Sequence, residues 1–327
     1  MNPVKFAASS FGFAALAGIS LVTPALAVIN IDYVSVGNVG NANDPTTGYG
    51  SVADTYQISK NETTISEYAE FLNAAAQTDA YNLYHPSMAS DGNAAGITRS
   101  VVAGSFTYSV MTGAAGRPIS YVSWFDAARF CNWMHNGQGS GSTETGAYNL
   151  AGATSGLFTK SVGATVWIPS ENEWYKAAYY DPTPGAGGGD NYWLHATQSN
   201  TLTNNTVSAN YNDGDYAVTQ SGSYNSSQNY LTNVGAYGAA SDSFYGTNDQ
   251  GGNVWEWNDA VISGSARGLR SGSWDNSESL LRSSERYELG PSLDGSRVGF
   301  RVASVPEPTS LVLTMLASGV MFIRRKR

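Results

Sequence analysis

One cysteine, Cys131, stands alone in 327 residues, so no disulfide within the chain can hold the fold together. A large apolar core, a bound metal, or both must do that work. The constraint bites because the N-terminus is built for export. Met1 to Ala27 has the three parts of a secretory signal peptide: Lys5 as the charged region, Phe11 to Val22 as the apolar stretch, and Ala25-Leu26-Ala27 as the small-x-small cleavage site. An N-terminal membrane anchor is the weaker reading, since the apolar run is short for a span.

The other end is patterned too. Val305-Pro306-Glu307-Pro308 precedes a mostly apolar segment, Leu311 to Ile323, and then Arg324-Arg325-Lys326-Arg327, a basic cluster suited to a positive-inside stop. This resembles the PEP-CTERM sorting signal of exopolysaccharide-producing Gram-negative bacteria; the alternative is a plain C-terminal anchor. The resemblance implies an exosortase-type sorting protease as partner, transient inner-membrane anchoring by residues 305–327, and release to the cell surface or extracellular matrix. The exported body is then one domain, residues 28–304. Five of the chain's 17 Lys and Arg lie in the two terminal segments, against 26 Asp and Glu in the chain, so the body is strongly acidic. Such a surface repels nucleic acid and attracts divalent cations.

Within the body, three capping boxes announce three helices. Thr64-x-x-Glu67 opens one with Ile65, Tyr68, Phe71 and Leu72 on one face; Ser123-x-x-Asp126 opens one with Trp124, Ala127, Ala128, Cys131 and Met134 inward. Ser170-x-x-Glu173 opens the third, carrying Trp174, Ala177 and Ala178. Val28 to Gly37, Gly48 to Lys60, Arg117 to Trp124 and Val166 to Pro169 read as extended or buried-strand segments. Gly137 to Gly163 reads as a long surface loop, and Asn200 to Asn229 as a polar region with few aliphatic anchors.

The most informative stretch is Gly246-Thr247-Asn248-Asp249, then Gly251-Gly252-Asn253-Val254-Trp255-Glu256-Trp257. Its glycines permit tight turns or close carbonyl approach, and Asp249 and Glu256 supply hard anionic oxygens, as calcium requires. A β-turn leading into a Trp-rich core strand explains the same residues.

These motifs carry a resemblance. Pro118-x-x-x-Val122-Ser123-Trp124-x-Asp126-Ala127-x-x-Phe130-Cys131-x-Trp133, Ile168-Pro169-Ser170-Glu171-x-Glu173-Trp174, Gly252-Asn253-Val254-Trp255-Glu256-Trp257, Arg270-x-Gly272-Ser273-Trp274 and Gly299-Phe300-Arg301 resemble the formylglycine-generating-enzyme (sulfatase-modifying factor) domain family. The match runs from about residue 50 to 303. It implies an α+β, C-type-lectin-like fold, low in regular secondary structure, with short helices around small antiparallel sheets. It further implies structural calcium. One site would take the Asn210 side chain and Tyr211 carbonyl, although the later aspartate expected for that site is missing. A second would take the Asp249 and Glu256 side chains and the Gly252 and Val254 carbonyls.

The family's oxidases bind Cu(I) through two cysteines placed just after the Gly-Ser-aromatic strand, where this chain has Asn276 and Leu281. Thiolates suit Cu(I) and hard oxygens replace them poorly, so no copper is expected and no catalytic residue is assigned. His85, His135 and His195 are scattered and give no His-x-x-x-His pair. The sequence therefore points to an exported, calcium-stabilised, non-catalytic binding or structural module. Trp255, Ser273, Trp274 and Asn276 would line a remnant groove for a glycan or extended peptide, with a core role for the tryptophans as the alternative. The competing function is an oxidoreductase of the same family with a remodelled site.

Overall fold

The computed structural model of the chain describes residues 28–202 and 204–306, so the signal segment and the sorting tail beyond Pro306 lie outside it. Among the described residues no helix is long and apolar enough to cross a membrane.

Strands β1 (Tyr33–Val36) and β2 (Tyr56–Ser59) pair antiparallel, with Val34 opposite Ile58. They form only the last parts of the extended segments expected there. Helix α1 (Ile65–Ala75) starts where the chain turns at Thr64, whose hydroxyl accepts from the Glu67 amide while the Glu67 carboxylate accepts from the Thr64 amide. Two N-terminal donors are thereby satisfied and the entry angle is fixed. Ile65, Tyr68, Phe71 and Leu72 are buried, as their spacing requires. After the short α2 (Ser87–Ser90) comes the hairpin of β3 (Ile97–Val102) and β4 (Ser105–Val110), turned by Ala103 and Gly104, both at positive φ.

Helix α3 (Trp124–His135) and helix α4 (Glu171–Tyr179) flank the two-residue strand β5 (Val166–Trp167). Both open on the expected boxes, Ser123 with Asp126 and Ser170 with Glu173. In α3 it is Trp133 that is buried, with Met134 only partly covered. Phe71, Phe130, Trp133, Tyr68 and Phe300 meet at centroid distances of 5.3–6.4 Å, an aromatic core that takes the place of disulfides. Cys131 lies inside it with no exposed surface, and burial pushes its thiol well above the usual range. Buried thiols of this kind behave as small apolar groups.

The run Arg117 to Trp124 is not a strand. Ile119 and Val122 are buried, but the backbone is pinned irregularly: the Ile119 amide donates to Thr63 and the Tyr121 amide to Gly295. Burial without ladder pairing produced the strand-like pattern.

The last third of the chain builds a second sheet from β6 (Trp255–Val261), β7 (Arg267–Arg270), β8 (Tyr287–Leu289) and β9 (Val298–Gly299), in the order β8-β7-β6-β9, with β6 and β9 parallel. The chain then returns to the first sheet as β10 (Ala303–Ser304), between β2 and β5. Gly299-Phe300-Arg301-Val302 thus bridges the two sheets.

Candidate functional site

The stretch from Gly246 to Trp257 folds as a sequence of turns that enters β6. Asp249, Gly252 and Asn253 all sit at positive φ. A Cβ on Gly252 would lie 2.3 Å from the Asn210 carbonyl oxygen, so only glycine lets the two segments approach. Asn253 closes that approach: its amide donates to the Asn210 carbonyl at 2.8 Å and its side-chain oxygen accepts from Asn210 Nδ2 at 3.0 Å.

Beneath these turns lies a buried charge cluster. Glu256 has no exposed surface, and its carboxylate accepts from Arg301 Nε at 2.6 Å, Arg301 Nη2 at 2.8 Å and the Trp174 indole at 2.7 Å. Arg301 also donates to the carbonyls of Ser59, Lys60 and Asn248, so one guanidinium ties β2 to the central stretch. Asp249, 3% exposed, accepts from the Gly235 amide at 2.5 Å. Glu62, 1% exposed, accepts from Asn253 Nδ2 at 3.2 Å, and its Oε1 is buried with no partner.

The electrostatics follow from this burial. Desolvation first, then the fields of Asp249 and Glu256, push the Glu62 carboxyl well above the usual range, against the opposing pull of Arg301 and Asn253. Asp249 is pushed up to about 6, mainly by desolvation. Burial works against the charged form of Arg301, but Glu256, Glu62 and Asp249 outweigh it and hold the guanidinium protonated. Three carboxylates thus face one guanidinium.

An orphaned carboxylate oxygen and excess negative charge are what a divalent oxygen-seeking cation would satisfy. No three His, Cys, Asp or Glu side chains among the described residues form a metal-holding group by themselves, so backbone carbonyls would have to complete a shell. Glu62 and Asp249 are the buried carboxylates with capacity to spare, while the Gly252 carbonyl already accepts from Ser271 Oγ at 3.0 Å. Glu256 fits less directly, since Arg301 and Trp174 already engage both its oxygens. Glu62 was missed in sequence; it follows β2 in Lys60-Asn61-Glu62-Thr63 with no local motif to mark it.

At the other expected cation site both residues are tied into the protein by hydrogen bonds. Asn210 Nδ2 donates to the Tyr230 carbonyl at 2.8 Å, and the Tyr211 carbonyl accepts from Asn205 Nδ2 at 3.0 Å. In a region short of aliphatic anchors, the buried Asn210 and Asn205 amides pin the backbone.

The four groove residues also part company. Trp255 is half-buried at the edge of the main core, 5.8 Å from the Tyr287 ring. Trp274 is buried, stacked on Tyr230 at 4.8 Å and 10°, and Ser273 is buried with its hydroxyl on Asn276 Oδ1 at 2.8 Å. With Trp274 buried, the two tryptophans do not share an open surface among the described residues. Asn276 instead joins Tyr211, Asp213, Asp275 and Glu278 around an open depression of about 940 Å³. Leu281 packs with Ala209 and Tyr211, so hydrocarbon fills a position that the resemblance gives to a copper thiolate.

The sequence pattern of the sulfatase-modifying factor enzyme 1-like domain matches residues 33–305. No curated protein matches the chain. Among solved structures, variable protein 1 of Treponema denticola is 20% identical, with a TM-score of 0.53 over 86% of this chain and 98% of that one. A protein titled CarF is 19% identical, with a TM-score of 0.54 over 86% of this chain and all (100%) of its own. These likenesses concern the fold, which is mixed, with short helices and small sheets of the C-type-lectin-like kind.

Proposed function

We propose, from the premise that the chain belongs to the sulfatase-modifying factor enzyme 1-like domain family, that it acts as an exported, calcium-stabilised binding module and not as a copper oxidase. The observation that carries the calcium reading is the unpartnered Glu62 Oε1 inside a cluster where three buried carboxylates face one guanidinium. Glu62 and Asp249 would hold the ion with the Gly252 and Val254 carbonyls, and Glu256 would act through Arg301. The ion would supply charge balance and cross-link β2 to the turn before β6. That is the service a disulfide performs in other exported proteins.

The binding-module reading rests on the residues at the family's copper positions, Asn276 and Leu281, and on a fold that leaves loops of the second half open. Sorting by an exosortase-type protease and a final place at the cell surface or in an exopolysaccharide matrix complete the proposal, motivated by the terminal segments.

Metal analysis of the purified protein, with melting followed with and without a chelator, tests the calcium reading. Calcium near one ion per chain and a lower melting temperature on chelation are expected; at free calcium about a hundredfold above Kd the stabilisation is about 2.7 kcal/mol. A redox metal at stoichiometry, or no response to chelation, would overturn it.

Glu62→Gln gives a sharper reading because its sign depends on calcium. In chelator the change removes a carboxylate that burial disfavours, so stability rises; in excess calcium it removes a ligand, so stability falls. A shift of the same sign in both conditions counts against Glu62 as a ligand.

A pH dependence follows as well. Glu62 and Asp249 have folded pKa values above their unfolded ones, near 4. The folded chain therefore binds more protons than the unfolded chain between pH about 4 and at least 6, and stability from these groups falls as pH rises through that window. In chelator, the melting temperature should rise as pH is lowered from 7 to 5, and excess calcium should flatten that rise by replacing the protons. Superimposable profiles with and without calcium would contradict the site.

A further inference from the structure

A second concave site shares no residue with the charge cluster. It is a cavity of about 400 Å³ whose wall includes Tyr81, Asn82, His85, Asp126, Ser292 and Asp294, drawn from the loop between α1 and α2, the first turn of α3 and the loop between β8 and β9. Two arginines also reach its wall, and both are already neutralised. Arg99 pairs with Asp79 at 3.1 Å; Arg129 pairs with Glu144 at 2.8 and 3.1 Å and donates to the Ala153 carbonyl.

The carboxylates are in the opposite state. Neither Asp126 nor Asp294 has a salt-bridge partner among the described residues. Asp126 is only 7% exposed and is engaged through Oδ2, by the Ser123 amide at 2.8 Å and hydroxyl at 2.7 Å, which leaves Oδ1 without a protein donor among the described residues. Desolvation pushes Asp126 up to about 7 against its Ser123 hydrogen bonds and the Arg129 field, and raises Asp294 against the His85 field. His85 itself is stacked on Tyr121, and its Nδ1 accepts from the Ser87 amide. Among the described residues the cavity's arginines are ion-paired outside it while neither aspartate is ion-paired, which favours a cationic guest.

The rim narrows the choice of cation. Asn82, Thr154 and Ser292 are exposed, and their side chains make no hydrogen bond to the described protein, so amide and hydroxyl groups stand free around the opening. Free neutral donors and acceptors around an anionic floor suit a ligand that carries hydroxyls as well as a charge. We propose that this cavity binds an amino sugar with a free primary ammonium, presented within a polysaccharide, with the ammonium at Asp126 and Asp294 and the ring hydroxyls at the rim. The ligand class deepens the binding-module reading but uses none of the calcium residues.

Calorimetric titration of the full chain tests it, with a β-1,4-linked glucosamine tetramer, its fully N-acetylated counterpart and trilysine as ligands. All runs keep calcium in excess, so failure of the calcium reading, seen in melting, is separate from failure of this one. The free-amine tetramer is expected to bind, with affinity falling about tenfold on N-acetylation and about tenfold in Asp294→Asn. Asp294 makes no side-chain hydrogen bond to the described protein, so the variant should keep its melting temperature. Should it not, the exposed rim variant Asn82→Ala, expected to bind the tetramer about threefold more weakly, decides. Equal affinity for the acetylated tetramer, unchanged binding in these variants, no binding at all, or tighter binding of trilysine would each overturn the proposal.

Discussion

Arg301→Met lowers the unfolding free energy by about 3–5 kcal/mol, because it strands Glu256 in a fully buried site with Glu62 and Asp249 beside it and takes away the guanidinium that its carboxylate pairs with. The same change leaves the carbonyls of Ser59, Lys60 and Asn248 without their donor. Urea denaturation measures the loss. The double variant Glu256→Met with Arg301→Met should recover part of it, since the stranded charge is gone while the three carbonyls and the Trp174 indole stay without partners. A loss below about 1 kcal/mol in the single variant would mean that water reaches the cluster in solution.

Trp257→Ala costs about 3–5 kcal/mol through the cavity it leaves in the main core. The residue has no exposed surface, and its indole donates to the Val122 carbonyl at 2.9 Å, fixing the irregular segment before α3. Trp257→Phe keeps most of the packing and should cost about 1–3 kcal/mol, the price of the unsatisfied carbonyl and the smaller ring. Trp255→Ala, two residues earlier and half-buried, should cost far less; thermal and urea unfolding of the three variants give the order. Equal losses for Trp255→Ala and Trp257→Ala would contradict the packing described above.

The contrast between these two tryptophans shows where sequence reading stops. Both stand in one motif with one spacing, and nothing in Val254-Trp255-Glu256-Trp257 says which is at the edge and which at the centre. Ser273 and Trp274 pose the same problem. A Gly-Ser-Trp turn looks like a ligand surface, yet Trp274 is covered by Tyr230 and Tyr216, residues some fifty positions away whose arrival no local pattern announces.

What the sequence determined by itself was local or compositional. Thr64 with Glu67, Ser123 with Asp126 and Ser170 with Glu173 fix three helix starts because a capping box needs only residues three apart, and the apolar faces that follow repeat within one or two turns. The lone cysteine settled that packing, a bound metal or both must replace disulfides within the chain. What only the tertiary structure decided was which charges meet. Glu62, Asp249, Glu256 and Arg301 come from two sheets and the turns between them, and Asp126 and Asp294, 168 positions apart, reach one cavity. Burial and electrostatic fields depend on distances in space, and a chain's spacing along its backbone sets those distances only within a single element.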